Sequence, residues 1–281
     1  MRNYFAGGAR YVDPNGKMYG LGYEKINNHL TAWIDKSELE LRELYFNKKS
    51  NILIDSGAFS AFNSGKKINI DDYVNFIHQF NKKWSGKVNS IYFINLDSIG
   101  DSKQSWKNQE YLDYKNCKTI PVIHQWGFEE KNLELALSKY DFIAFGGMVG
   151  RKQKIHTIPW LNKCYKIIGQ FYKKNKIMPK IHLLGVASSK ILYRYPCFSC
   201  DSTTFMKINR FGSSDYLKIK GLPRTGKLSK EKYKNNKKYQ YNQKDDQQLL
   251  NRIMIKEIQT IQKEEFLITE FWKKRGIDFE I

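Results

Sequence analysis

Aspartates follow three of the short apolar runs in this sequence, at points where buried strands are expected to end. Asp55 follows Ile-Leu-Ile, Asp97 follows Phe-Ile-Asn-Leu, and Asp201 follows Phe-Ser-Cys. One aspartate after a strand is most often a turn former or helix cap, but three at the ends of parallel strands would meet on one face. Carboxylates grouped in this way suit retaining glycosyl transfer, in which one attacks the sugar carbon and another moves the proton.

Two further strand ends carry residue types that a binding site would use. His124 and Gln125 follow one apolar run, and Gly146 and Gly147 follow another. Together with the three aspartates they favour a functional site over a set of unrelated turns. His124 is expected to orient the pocket or contact a backbone phosphate rather than to act as a catalytic base.

Eight short segments are predicted to be strands, and several are apolar throughout, as strands buried on both faces of a parallel sheet are. They cover residues 4–6, 52–55, 91–96, 120–124, 142–145, 181–184, 198–200 and 216–219. Helices are predicted to start at Ser37, in a capping box with Glu40, and at Asp71, and to cover about 129–139, 159–172, 188–195 and 246–274.

This alternation predicts a single α/β domain over residues 1–281, a (β/α)8 TIM barrel. An open doubly wound sheet is the alternative. No Gly-x-Gly-x-x-Gly follows a predicted strand, so a dinucleotide site is not expected. The last helix, at about 246–274, places an apolar stripe against the barrel.

Composition narrows the classes of protein further. The 281 residues carry a formal net charge of +20 and are 15% aromatic, which excludes a disordered basic tail. No apolar run is long enough for a transmembrane helix, and four cysteines are too few for a disulfide scaffold. The start of the sequence lacks a long apolar leader, so a reducing cytoplasm is the expected compartment.

The positive charge is concentrated in residues 218–244, where Glu231 is the only acidic residue before the Asp-Asp pair that follows. Charge alone fits an AT-rich coding sequence as well as a polyanionic partner, but a dense cluster gains affinity by releasing counterions from phosphates. We therefore expect an exposed loop or arm that binds nucleic acid. Its predicted contacts are Lys218, Lys220, Arg224, Lys227, Lys230, Lys232, Lys234, Lys237 and Lys238.

Five motifs in order resemble the tRNA-guanine transglycosylase superfamily over about residues 52–210. They are Asp-Ser-Gly-Ala-Phe at 55–59, His-Gln-Trp-Gly at 124–127, Phe-Gly-Gly-Met-Val-Gly at 145–150, Leu-Leu-Gly-Val at 183–186 and Cys-Asp at 200–201. The form of the first motif and the short chain look closest to the phage and bacterial DpdA-type DNA-guanine transglycosylases. These replace guanine in DNA with a 7-deazaguanine such as preQ0.

The resemblance implies a role for each matching residue. Asp201 would attack C1′ of the target nucleoside, and Asp55 would be the general acid and base. Asp97 and Gln125 would contact the edge of the base, and Phe59 and Leu184 would sandwich its ring. The remaining substrate-binding residues would be Ser56, His124, and Gly146 and Gly147, whose amides would approach the heterocycle.

The sequence also departs from the family. Members that act on tRNA carry a cysteine and histidine zinc site after the nucleophile, but here the last cysteine is Cys200 and the last histidine is His182. We therefore expect no zinc-binding subdomain, no metal and no cofactor, with the basic arm as a substitute clamp. Cys197 and Cys200 are expected to be reduced thiols, and Arg210 is the counterpart of a substrate-contacting arginine.

The expected partners are DNA, a free 7-deazaguanine base and, on duplex DNA, a strand-opening partner such as a helicase. No membrane is involved, and a phage-encoded chain would work in the bacterial host cytoplasm. Three alternatives remain open: base exchange in tRNA, hydrolysis with water as acceptor, and a nucleic-acid-binding barrel without activity. Buried carboxylates argue against the last, because a phosphate-binding protein gains nothing from them.

Overall fold

The computed structural model describes residues 1–7, 10–12, 18–20, 22–148, 151–186, 188–203 and 243–279. Its strands are β1 (Arg2–Ala6), β2 (Arg10–Val12), β3 (Met18–Gly20), β4 (Asn28–Ala32), β5 (Asn51–Asp55), β6 (Ser90–Ile94), β7 (Thr119–Ile120), β8 (Val122–His124), β9 (Phe142–Gly146), β10 (Lys180–Leu183) and β11 (Ser199–Ser202). Its α-helices are α1 (Lys36–Glu43), α2 (Ala58–Asn63), α3 (Ile70–Trp84), α4 (Ser102–Tyr114), α5 (Glu130–Lys139), α6 (Arg151–Asn175), α7 (Ser189–Leu192) and α8 (Gln243–Lys273).

Nine of these strands form one parallel sheet that curls into a nearly closed barrel, in the order β7-β6-β5-β4-β1-β11-β10-β9-β8. Its two end strands, β7 and β8, are separated in the chain only by Pro121, which has no N–H to donate to a ladder. On one side of this segment the N–H of Asn95 donates to the carbonyl of Ile120 at 2.9 Å. On the other, the N–H of Ala144 donates to the carbonyl of Pro121 at 2.9 Å. The ends of the sheet therefore meet at one proline-interrupted segment.

Seven of the eight predicted strands are present, and the eighth, 216–219, lies outside the described residues. Three strands were not predicted. β2 and β3 pair with each other, and β4 pairs with β1 and β5. Leu30 is its one large aliphatic residue, and His29 and Thr31 are buried beside it. A strand with buried polar side chains lacks the apolar pattern that identified the others. On the other side of β1 lies β11, so β1 is paired on both sides.

Two predicted helix starts were wrong by two residues. Asp35 caps α1, and its side chain accepts from the N–H of Glu38 at 3.2 Å. The predicted cap, Ser37, lies inside that helix. Asn69 caps α3 by accepting from the N–H of Asp71 at 2.8 Å. Each sequence offers several capping side chains close together, and only the backbone geometry decides which one is used.

Helices α2 and α4 were not predicted, and α6 begins at Arg151 rather than near 159. The buried face of α4 includes Ser105 and Gln109, which hide its apolar period. Pro159 lies inside α6, so the proline did not mark a boundary. The predicted stripe on α8 is present where side chains are described, since Met254, Ile258, Ile261 and Ile268 are buried.

Side chains fill the barrel in layers. At the amino ends of the strands, the amide of Asn89 and the hydroxyl of Ser90 both donate to Asn51, at 2.8 and 2.7 Å. An apolar layer follows, formed by Tyr4, Leu30, Leu53, Ile94, Val122 and Ala144. The polar residues at the carboxyl ends of the strands thus lie above a packed interior. No helix among the described residues has the length and apolar character needed to cross a membrane.

Candidate active site

The three predicted aspartates lie where parallel strands end, which we call the carboxyl edge. Asp55 is the last residue of β5, Asp97 comes three residues after β6, and Asp201 is the third residue of β11. The carboxylates of Asp97 and Asp201 both act electrostatically on Asp55. The fold therefore brings together three residues that are far apart in the chain.

The surroundings of Asp55 raise the pKa of its carboxyl group. Burial raises the pKa of this carboxyl to about 7. The N–H of Gly57, which donates to Asp55 Oδ1 at 2.7 Å, opposes the increase, and repulsion from Asp97 and Asp201 adds to it. A carboxyl group with a pKa near 7 can give a proton and take it back at neutral pH.

The turn that supports Asp55 depends on Gly57. This residue has φ +79°, and a Cβ there would lie 2.5 Å from Cγ1 of Ile34. Both the left-handed backbone and the close side chain disfavour any residue with a Cβ at this position. Gly57 also precedes α2, so the same turn starts the helix that carries Phe59.

Asp201 is buried and has two close neighbours. Its Oδ1 accepts a hydrogen bond from the N–H of Gly185 at 2.5 Å. Nε2 of His182 lies 3.3 Å from the same oxygen, and Nδ1 of His182 lies 2.8 Å from the hydroxyl oxygen of Ser199. His182 and Ser199 are both fully buried. The Gly185 amide and the His182 ring thus lie against the same carboxylate oxygen.

The sequence analysis gave no role to His182 or Ser199. The pairing of β10 with β11 brings them to the site. His182 on β10 pairs with Ser199 on β11, which lies two residues before Asp201. Side chains two apart on a strand share a face, so His182 faces both. Tyr73 was also missed. Its hydroxyl donates to the carbonyl of Ile94 at 2.7 Å. Burial is the main cause that raises the pKa of Tyr73, and the charges of Asp55 and Asp97 raise it further.

Asp97 contacts His124 at the end of the neighbouring segment. Nε2 of His124 lies 2.9 Å from Oδ2 of Asp97, and the imidazole stacks on the indole of Trp126 with centroids 4.3 Å apart. A Cβ on Gly147 would lie 2.7 Å from Nε1 of Trp126, and one on Gly146 would lie 3.1 Å from His124. The absence of a side chain at these two glycines therefore leaves space for the rings of His124 and Trp126, and not only for a ligand.

The other predicted substrate residues differ in exposure. Phe59 is 59% exposed on α2, and Leu184 is half-buried against the barrel interior. Ser56 is fully buried, and its hydroxyl has no hydrogen-bond partner among the described residues. Gln125 accepts from the hydroxyl of Thr157 on α6 at 3.3 Å. Ser56, Gln125 and Leu184 lie just beyond strand ends at the carboxyl edge, and Phe59 lies in the first turn of α2, which follows β5.

The four cysteines are buried and none forms a disulfide. Burial raises the pKa of Cys197 to about 12, so this thiol stays protonated at neutral pH. Over the described ranges, no group of three or more histidine, cysteine or acidic residues could hold a metal ion.

The predicted nucleic-acid contacts lie outside the described residues. They are Arg210, Lys218, Lys220, Arg224, Lys227, Lys230, Lys232, Lys234, Lys237 and Lys238.

Comparison with known proteins gives no match from which a function could be inferred. No protein-family model matches the chain, and no curated protein matches it in sequence.

Proposed function

We propose that the protein is a glycosyltransferase that exchanges guanine in DNA for a 7-deazaguanine through a covalent glycosyl-aspartate. The observation that carries the proposal is the meeting of three carboxylates at the carboxyl edge, one of them with a pKa raised to about 7 by burial. Two carboxyl groups in different environments are what a retaining displacement at an anomeric carbon needs. The motifs that resemble the transglycosylases contain two of these residues, Asp55 and Asp201.

The scaffold in this proposal is a (β/α)8 barrel without a zinc-binding subdomain. If β7, Pro121 and β8 count as one strand, the sheet has eight strand positions. Active sites of such barrels lie at the carboxyl ends of the strands, where the three aspartates are found.

In the first half of the reaction, Asp201 attacks C1′ of the target nucleotide. The C1′–N9 bond breaks, an ester bond forms to Asp201, and protonated Asp55 gives its proton to the leaving guanine. Gly185 holds the Asp201 carboxylate for this attack. In the second half, Asp55 takes the proton from the incoming base, whose nitrogen displaces Asp201 from C1′.

Asp97 would determine which base is accepted. Its carboxylate can accept hydrogen bonds from the amide N–H and the amino group of guanine. His124 lies 2.9 Å from Asp97 and is held by the Trp126 ring, so the carboxylate is kept in place before the base arrives.

The test is base exchange on short single-stranded DNA, because the target base must leave its stack to reach Asp201. Purified protein is incubated with the DNA and a 7-deazaguanine, and the nucleosides are analysed by mass spectrometry. We expect the modified nucleoside with wild-type protein, and neither product nor a denaturation-stable adduct with Asp201→Asn. Asp141→Asn, an exposed change before the amino end of β9, is the matched control.

Parallel reactions separate the alternatives. Turnover on tRNA alone would overturn the assignment to DNA, and abasic sites without a new base would indicate a hydrolase. Full exchange by Asp201→Asn would contradict the covalent mechanism.

A further inference from the structure

A groove of about 550 Å³ opens beside the proposed active site. We call it the aromatic groove; it is lined by Gln125, Trp126, Phe128, His156, Trp160 and Lys163. The first three belong to the segment that follows β8, and the others belong to the first half of α6, which follows β9. Both connections leave from the carboxyl edge, and Trp126 of the groove stacks on His124, which lies 2.9 Å from Asp97.

The aromatic rings of the groove are held in place from behind. Trp160 is buried, with the ring of Phe128 edge-on at 6.0 Å and that of Phe145 at 5.2 Å. Trp126 rests on His124 and fits against Gly147, where a Cβ would exclude it. Fixed aromatic rings bind nucleobases by stacking, and they do so with little dependence on sequence.

The charged groups around the groove are suited to an anion. Lys163 and His156 are exposed at its rim, and no carboxylate lines it among the described residues. Aromatic rings beside cations match a nucleotide, which offers a flat base and a phosphate, better than an apolar peptide.

We propose that the aromatic groove binds the base of the nucleotide next to the target in unpaired DNA, with Lys163 on its phosphate. This inference rests on the proposed function. Trp126 links the groove to the site, because it stacks on His124, which contacts Asp97. A base in the groove would therefore hold the strand while the target base enters between the aspartates.

The experiment uses seven-nucleotide DNAs with one central guanine and an abasic unit on either side of it. The rate of adduct formation is measured for wild type, Trp126→Leu, Trp126→Phe and Lys163→Ala, with Lys173→Ala on the far end of α6 as the control. One of the two abasic flanks should slow wild type about 5- to 150-fold, the range for loss of one stacked base. Trp126→Leu should be slowed similarly on intact DNA and show no further loss with that abasic flank, whereas Trp126→Phe should retain part of the stacking effect.

A second measurement separates this inference from the proposed function. Fluorescence anisotropy gives the affinity for labelled oligo(dT), which contains no guanine and cannot react. Weaker binding by Trp126→Leu and Lys163→Ala, but not by Lys173→Ala, supports the groove even if no protein forms an adduct; in that case only the exchange proposal fails. Equal binding by all variants overturns the groove proposal, whatever the exchange assay shows. Lys163 is exposed, so Lys163→Ala is expected to fold normally. If Trp126→Leu failed to fold, Lys163→Ala would still test the groove.

Discussion

The two proposed catalytic carboxyl groups are the same residue type in different surroundings. Asp201 is buried, receives the N–H of Gly185 and lies beside His182, whereas Asp55 is partly buried with two further carboxylates nearby. This contrast is how a fold assigns different tasks to identical side chains. The surroundings of Asp55 also lower the stability of the folded protein when Asp55 is charged, because the charged carboxylate is poorly solvated there.

The pKa of Asp55 leads to a prediction about stability. It is about 7 in the folded protein against an ordinary value of 3.8, so between these pH values the folded state holds a proton that the unfolded state has lost. Stability therefore falls as pH rises through this window, by roughly 2–4 kcal/mol from this group. Asp55→Asn should be more stable than wild type by about that amount at pH 8 and similar to it at pH 4.

Urea unfolding at pH 4, 6 and 8 measures this difference. Glu265, whose pKa burial also raises to about 7, leaves a pH dependence in the variant. Asp141→Asn should follow the wild-type curve. An Asp55→Asn protein no more stable than wild type at pH 8 would contradict the environment assigned to Asp55.

Asp97 is predicted to control the choice of base more than the rate with the preferred one. Removing it leaves the purine's amide N–H and amino group without an acceptor, at a cost of roughly 1–3 kcal/mol in a closed site. Asp97→Ala should therefore lose about 5- to 150-fold of the preference for guanine over hypoxanthine. Exchange rates with the two labelled bases give this ratio, and equal use of both by wild type would contradict the role.

At the scale of elements, the turns after the strands place the reacting groups. Gly57 follows β5 and donates to Asp55, and Gly185 follows β10 and donates to Asp201. Each carboxylate is thus held by the backbone of a turn. The barrel supplies the strand ends, and the turns decide where each oxygen points.

Gly57→Ala tests the turn that holds Asp55, with Gly65→Ala as the control. Both glycines have positive φ, so both substitutions cost roughly 1–2 kcal/mol of backbone strain. Only at Gly57 does the new Cβ meet another side chain, 2.5 Å away on Ile34. We expect Gly57→Ala to be less stable than Gly65→Ala by a further 1–3 kcal/mol or so in urea unfolding, which is roughly the cost of overpacking. Equal losses would mean that the turn at Gly57 tolerates a side chain.

At the scale of the whole molecule, the barrel separates the two ends of the strands by function. The amino ends close on a network of asparagine and serine side chains around Asn51, and the carboxyl ends carry the aspartates. β11 ends at the carboxyl edge, and the chain after it contains the basic segment 218–244. The whole chain carries a net charge of +20, which would attract the polyanionic substrate that we propose.

Neutralising the basic segment should weaken DNA binding and flatten its salt dependence. Each phosphate that the protein no longer neutralises lowers the slope of log K against log salt by roughly 0.7–0.9. The variant replaces five lysines with alanine, at Lys230, Lys232, Lys234, Lys237 and Lys238. The control replaces five exposed lysines near the amino ends of β5 and β6, at Lys48, Lys49, Lys82, Lys83 and Lys87.

Anisotropy titrations at several salt concentrations give both slopes. A short oligonucleotide already seated in the pocket should still react with the first variant. If both variants had the same slope, the effect would belong to net charge and not to the segment.

Much of the fold was predictable from the sequence because most of its buried parallel strands are short, apolar segments separated by helical patterns. Seven segments of the sheet were predicted in this way, and so were the three aspartates at or just after strand ends. The strand β4 and the helix α4 were not, because each buries polar side chains that break the apolar period. A periodicity argument detects only elements whose buried face is apolar.

The sequence by itself determined which residues end the strands; only the tertiary structure decided which of them touch. His182 meets Asp201 because β10 and β11 pair in one register, and no local pattern encodes that register. From the sequence, Gly147 was predicted to approach a ligand. In the structure, Trp126 occupies the space where a Cβ of Gly147 would lie. Contacts between strands and turns depend on pairing between distant segments, whereas sequence patterns report only the local period and the residue types.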